Sequence, residues 1–319
     1  MAAVDREGRI LARARTETPK GSGPAGLLDA IATLADECRT ALDSDHKIVG
    51  FGAGIPANIV NGPVRGLPNY SEIEGMDLKS ELEAKFKIPA ALENDATGAA
   101  IGENWLGASK DVRDSIMITL GTGVGGGIII NNEPLRGIDG TAGKIGHINV
   151  EPDGHPCKCG SRGCIEEYAS ATAIVRIARE SGLDVTTSLE VYKLATEPGS
   201  ATPPYEGGVA PASDDGVVLS SEQAQAAAKE VFAKVGRYLG ITLGSLANTL
   251  NPEMIIIGGG AAASWDAFID PLKTELNYRA FKEPAARVQI VPGTLGDDAG
   301  ILGAARSVFL GLQPHVQGR

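Results

Sequence analysis

Residues 118–132 read Ile-Thr-Leu-Gly-Thr-Gly-Val-Gly-Gly-Gly-Ile-Ile-Ile-Asn-Asn, and the reading of the five glycines at positions 121–127 decides the fold. Gly121, Gly123 and Gly126 satisfy the spacing G-x-G-x-x-G, which in a dinucleotide-binding unit must lead into a helix. The next residues are instead Ile128-Ile129-Ile130, a β-branched run that stops at a turn, so the stretch predicts two strands, 115–120 and 128–131, joined by a glycine loop. Two or three glycines suffice for a tight hairpin. The surplus, with Thr122 at the tip, suits a loop whose backbone N–H groups and hydroxyl approach phosphate oxygens with no side chain in the way.

Strand-like and helix-like patterns alternate on both sides of this loop, the mark of an α/β chain. Residues 47–51 read as a strand entering a Gly-Pro loop at 52–56. Leu78, Leu82 and Phe86 line a short helix. Helices are expected at 165–181, 222–250, 266–281 and about 300–309, the long second one stopped by Asn251-Pro252. A buried strand at 254–257 ends in Gly258-Gly259-Gly260. Leu27, Ile31, Leu34, Cys38 and Leu42 recur at helical spacing, which makes Cys38 core filler. A polar stretch at 106–114 suggests a break between a small domain, 1–108, and a large one, 109–299, with the C-terminal helix of 300–319 packing back on the small domain. Residues 197–213 lack periodicity and read as a flexible surface insertion.

The chain of 319 residues carries a net charge of -11. An acidic surface repels phosphodiester backbones, so nucleic acid is not an expected partner. No apolar run reaches the roughly 18 residues of a membrane span, and nothing resembles a signal peptide, which points to a cytoplasmic protein. Glycine is in excess, 42 residues, nearly twice the usual share of about 7%. The glycines are expected at turns and at close backbone approaches to a ligand.

Three of the four cysteines, Cys157, Cys159 and Cys164, fall within eight positions, downstream of His147. One imidazole and three thiolates form the ligand set of a closed structural Zn²⁺ site, and Gly160 and Gly163 let a short loop wrap the ion. C-x-C lacks the C-x-x-C spacing of redox motifs. His155 is the other candidate nitrogen, but two residues from Cys157 its bite is strained. Glu93-Asn94-Asp95 closes a short apolar segment. A carboxylate beside an amide suits proton removal from an oriented hydroxyl, although Asn-Asp is equally an ordinary turn or helix cap.

Taken together, ENDATGAAIGE (93–103), ITLGTGVGGGI (118–128), the frame G-H-x9-C-x-C-G-x2-G-C-x-E (146–166), and NPEMIIIGGG (251–260) with LGDDAGILGAA (295–305) resemble the ROK family of sugar kinases and sugar-responsive repressors. The resemblance implies the actin-like, ribonuclease-H-like ATPase fold, with two domains around a nucleotide and sugar cleft. It implies that Asp95 is the general base for the 6-hydroxyl of a hexose, most simply glucose, attacking the γ-phosphate of ATP with Mg²⁺ present. Asn94, His147 and Glu166 match positions that hold sugar hydroxyls, His147 doing so while it also ligates zinc. Gly121, Thr122 and Gly123 match the phosphate turn, and Gly258, Gly259 and Gly260 the adenosine side. A homodimer is also implied. The repressor branch calls for a helix-turn-helix ahead of the core, which is not expected here.

Two departures stand out. Lys144 occupies the position where the family's E-x-G-H pattern has Glu, which predicts an altered sugar preference, since an ammonium only donates and can pair with Glu166. Residues 1–11 resemble the family's second strand and turn, so no counterpart of its opening D-x-G-G-T strand is expected, and with it fewer phosphate contacts and weak catalysis.

Overall fold

A computed structural model describes residues 1–59, 62–67, 70–197 and 219–312. Most of the expected insertion therefore lies outside the described residues. The strands are β1 (Ala2–Val4), β2 (Ile10–Arg13), β3 (Phe51–Ile55), β4 (Asn58–Ile59), β5 (Val64–Arg65), β6 (Ala90–Asn94), β7 (Ser115–Leu120), β8 (Val124–Ile130), β9 (Glu133–Pro134), β10 (Met254–Gly258) and β11 (Gln289–Pro292). The helices are α1 (Gly23–Thr40), α2 (Leu78–Phe86), α3 (Asp95–Leu106), α4 (Glu166–Ala169), α5 (Ala171–Glu180), α6 (Ser188–Thr196), α7 (Ser221–Leu250), α8 (Trp265–Arg279), α9 (Lys282–Arg287) and α10 (Asp298–Gly311). The alternation is that of an α/β protein. A five-stranded sheet has the order β11-β10-β7-β8-β9, and β1-β2, β3-β6 and β4-β5 form two-stranded sheets.

The chain divides into two compact units. Unit one comprises residues 1–117, 127–143 and 293–319, and unit two comprises 118–126 and 144–292. In unit one Val64, Ile73 and, on α2, Leu78 and Leu82 are buried together, with Leu27, Leu28 and Ile31 of α1 packed against them. Helices α3 and α10 meet backbone to backbone: a Cβ on Gly303 would lie 1.7 Å from Gly98 O, and one on Gly102 would lie 2.1 Å from Ala299 O. In unit two the long α7 packs along α8 through Gly236, Gly240 and Gly244, one per turn, where a Cβ would come within 2.4 to 2.8 Å of the partner helix. Part of the glycine excess thus serves helix-to-helix contact, not turns or ligands as the composition alone suggested.

Several boundaries differ from the sequence expectation. The strand near residue 50 is β3, which takes in the expected Gly-Pro loop because it pairs in parallel with β6, Phe51 opposite Ala90 through Ile55 opposite Asn94. Glycine-rich and weak in propensity, β3 is a strand only through that tertiary pairing. Helix α3 begins where a loop was expected, since Asn94 supplies an N-cap. Residues 165–181 break at Ser170, whose hydroxyl accepts from Ala173 N (3.1 Å) and starts α5 afresh. The glycine loop is shorter than expected: Val124 already belongs to β8, and only Gly121-Thr122-Gly123 turn. At the other end of β8, Asn131 and Asn132 have φ of 53° and 64°, the two-residue turn that matches strand twist.

Candidate active site

In unit two the turn Gly121–Gly123 is held by its own backbone and by the start of α5. Gly121 N donates to Gly123 O (2.9 Å), Ala171 N donates to Gly121 O (2.8 Å), and the Thr172 hydroxyl donates to Thr122 O (2.9 Å). Glu166, the first residue of α4, accepts from Val124 N at 2.9 Å. The same carboxylate lies where a Cβ on Gly123 would be, 2.4 Å away, whereas around Gly121 nothing stands within 4 Å of such an atom. One glycine is therefore required by Glu166 and the other leaves open space. Gly259 has φ +88°, and a Cβ there would sit 2.5 Å from Leu120 O. The ends of β7 and β10 consequently lie together, and Gly258-Gly259-Gly260 adjoins the Gly121–Gly123 turn. Oriented N–H groups at the carboxyl ends of α/β strands are where anions and nucleotides bind.

The expected cluster of His147, Cys157, Cys159 and Cys164 also forms within unit two. His147 ends a 3-10 turn, Ile145–His147, and its N–H donates to Lys144 O (3.0 Å). Gly146 brings this turn onto β8, since a Cβ would lie 2.0 Å from Val124 O. His147 Nδ1 stands 3.7 Å from Cys157 Sγ, Cys159 Sγ stands 3.6 Å from Cys164 Sγ, and all four donor atoms lie within 4.8 Å of one another. Tetrahedral zinc, with Zn–S of about 2.3 Å and Zn–N of about 2.0–2.1 Å, spaces its donors roughly 3.5–3.8 Å apart, so the residues fit the ion. Burial pushes the Cys157 thiol up to about 12 and raises Cys164, while the Ser161 N–H lowers Cys159. A bound cation would supply the charge that buried thiolates need. The loop closes through Gly163, with φ +64°, where a side chain would strike Glu151 O. With Nδ1 on the quartet, His147 Nε2 points away from it. His155 instead pairs with Glu167 at 3.4 Å.

In unit one Asn94 Oδ1 caps α3, accepting from Ala96 N (3.1 Å) and Thr97 N (3.3 Å), and its amide donates to Ala57 O (3.2 Å). Asp95 is exposed at the first helical position, with Oδ1 accepting from Ala96 N (2.9 Å). Of the two readings of Asn-Asp, the hydrogen bonds show the helix cap: Asn94 is the cap, and Asp95 follows it in the first turn. The preceding Glu93 was not singled out by itself in the sequence. It is 4% exposed. It accepts two hydrogen bonds from Arg136 (2.6 and 2.8 Å) and one from Ser307 (2.8 Å). Partners 43 and 214 positions away leave no local signal.

The ROK family model matches residues 1–309. This chain belongs to the ROK family. A glucokinase of Halalkalibacterium halodurans is 37% identical over 311 residues, covering 95% of this chain and 89% of that protein. A crystal structure of a ROK family glucokinase from Streptomyces griseus, in complex with glucose and AMPPNP, is 31% identical with a TM-score of 0.71, covering 96% of this chain and 94% of that one. A xylose repressor of Caldicellulosiruptor bescii is 30% identical over 85% of this chain and 65% of its own length. The fold is accordingly the actin-like ATPase fold of ROK sugar kinases.

Proposed function

We propose that the protein is an ATP-dependent hexose kinase that phosphorylates the 6-hydroxyl of glucose. The similarity to glucokinases along nearly their whole length carries this reading. The described residues support it. Asp95 Oδ1 is occupied by a backbone N–H, which leaves Oδ2 for the proton of a sugar hydroxyl, and the Asn94 cap sets its direction. His147 Nε2, Glu166 and Asn94 offer hydrogen bonds to other hydroxyls, with zinc fixing the imidazole through Nδ1. The N–H groups of Thr122 and Gly123 would face the phosphates, with the open space at Gly121 leaving room for their approach, and Gly258–Gly260 would face the adenosine. Phosphoryl transfer depends on alignment and charge stabilisation, to which Mg²⁺ bound with ATP would contribute. Lys144, in place of Glu, is the residue we expect to shift sugar preference. The family further suggests a cytoplasmic homodimer.

A sugar-binding regulator without turnover is the second reading, favoured by the repressor relative. The net charge of -11 weighs against DNA as its partner. A coupled ADP-release assay over a hexose panel separates the two. Glucose-dependent ADP release that is abolished by Asp95→Asn supports the kinase. Sugar-dependent thermal stabilisation with no ADP release by the wild type would replace it with the regulator.

A further inference from the structure

One carboxylate of unit two serves two parts of the proposed site. Glu166 is half-buried, and its Oε2 accepts from Val124 N at 2.9 Å. The carboxylate also lies flat against the turn, since a Cβ on Gly123 would come 2.4 Å from Oε2 and 3.2 Å from Cδ. One oxygen is thus engaged with the backbone of the turn, and Oε1 is the oxygen a sugar hydroxyl would reach. The main chain beneath Glu166 is fixed. Ile165 and Ala169 are fully buried, Ile165 N donates to Ile148 O (2.9 Å), and Ser170 N donates to Glu166 O (3.3 Å). What freedom remains lies in the side-chain torsions of Glu166.

The chain then runs from α4 into two further holds on the same turn: Ala171 N on Gly121 O (2.8 Å) and the Thr172 hydroxyl on Thr122 O (2.9 Å). Residues 166–172 therefore grip the turn at its start, its tip and its end. The first two holds are made by backbone or by a short side chain on α5. The third depends on a long side chain that must be ordered to make it, and ordering such a side chain costs entropy. A group that orders Glu166 for another reason removes that cost, and phosphate oxygens then meet N–H groups already in place.

We infer that Glu166 is a positioning residue for the phosphate turn, and that a sugar hydroxyl on its Oε1 tightens nucleotide binding by holding Oε2 on the Val124 N–H. The inference rests on the kinase reading above and adds to it a coupling between the two ligands, which linkage makes reciprocal. It needs no contact beyond unit two.

Calorimetry on the full chain measures the Kd of AMPPNP with Mg²⁺, with and without saturating glucose. Glucose should lower this Kd about fivefold or more. Before any nucleotide is added, it should also slow amide exchange at Val124 several-fold, while the Ala280 N–H at the C-terminal end of α8, bonded to Leu276 O, stays unchanged. The variants are read without sugar. Glu166→Ala should raise the Kd of AMPPNP about fivefold or more, Glu166→Gln, whose amide oxygen still accepts from Val124, should restore most of the affinity, and Thr172→Val, a change at an exposed position, should weaken binding in the same direction. Wild-type affinity in Glu166→Ala would overturn the inference by making Glu166 a sugar contact alone. So would equal losses in Glu166→Gln and Glu166→Ala, or binding of both ligands with no effect of glucose on Kd or on Val124 exchange. In these cases glucose-dependent ADP release by the wild type would leave the kinase reading standing, whereas a wild type that binds no AMPPNP would overturn both. Should Glu166→Ala fail to fold, the wild-type coupling and the Val124 exchange decide.

Discussion

Replacing Arg136 with Met isolates what the buried pair beside the candidate base contributes. Glu93 is 4% exposed and accepts from Arg136 at 2.6 and 2.8 Å and from Ser307 at 2.8 Å. Arg136 is about half exposed. Removing it leaves a buried carboxylate with one hydroxyl donor, a defect that costs about 3–5 kcal/mol when both partners are buried. Because the guanidinium is itself partly solvated, the lower end applies, about 3 kcal/mol. At roughly 2–4 °C per kcal/mol for a unit of this size, Tm should fall by about 6–12 °C. Urea denaturation followed by circular dichroism measures the same loss independently. The companion variant Arg136→Met with Glu93→Gln removes the charge that makes the first change costly, and it should recover at least half of the deficit. A loss under about 1 kcal/mol in the single variant, or a second change that adds to the loss, would refute the reasoning.

Asp95→Asn should lower kcat by about 10²–10⁴ with little change in glucose affinity, measured by coupled ADP release and calorimetry. Gly259→Ala places a Cβ 2.5 Å from Leu120 O at φ +88°, so KM for ATP should rise at least severalfold in steady-state kinetics, with KM for glucose less affected. Dialysis against a strong chelator should release about one equivalent of zinc, detectable by atomic absorption, and lower Tm; Cys164→Ser should behave like the stripped protein. Lys144→Glu should redistribute kcat/KM over a hexose panel, and an unchanged profile would discard its role in sugar choice.

The sequence made the chemistry-bearing strings legible because each is local. The His-Cys frame gathers four candidate metal ligands within residues 147–164, and the run after Gly127 excluded a dinucleotide helix through its β-branched residues. What stayed hidden depends on distant partners. β3 is a strand only because β6 lies beside it. The use of Gly236, Gly240 and Gly244 appears only once α8 is placed against them. Glu93 reads as one carboxylate among 40 acidic residues until Arg136 and Ser307 are brought to it.

The contact between α3 and α10 bears on how the protein is made. Ser307 of α10 reaches Glu93, just ahead of α3, across 214 positions, and Thr294, just ahead of α10, reaches Glu103 of α3 across 191. At about 5–20 residues per second, a ribosome takes roughly ten to forty seconds to bridge such a separation. Meanwhile the glycine-lined face of α3 emerges with no helix to receive it. The bulk of unit two, residues 144–292, is synthesised within that interval. Unit one, whose first residues leave the ribosome earliest, is thus the last to close, and its unpaired face is where a nascent-chain chaperone would have most to shield.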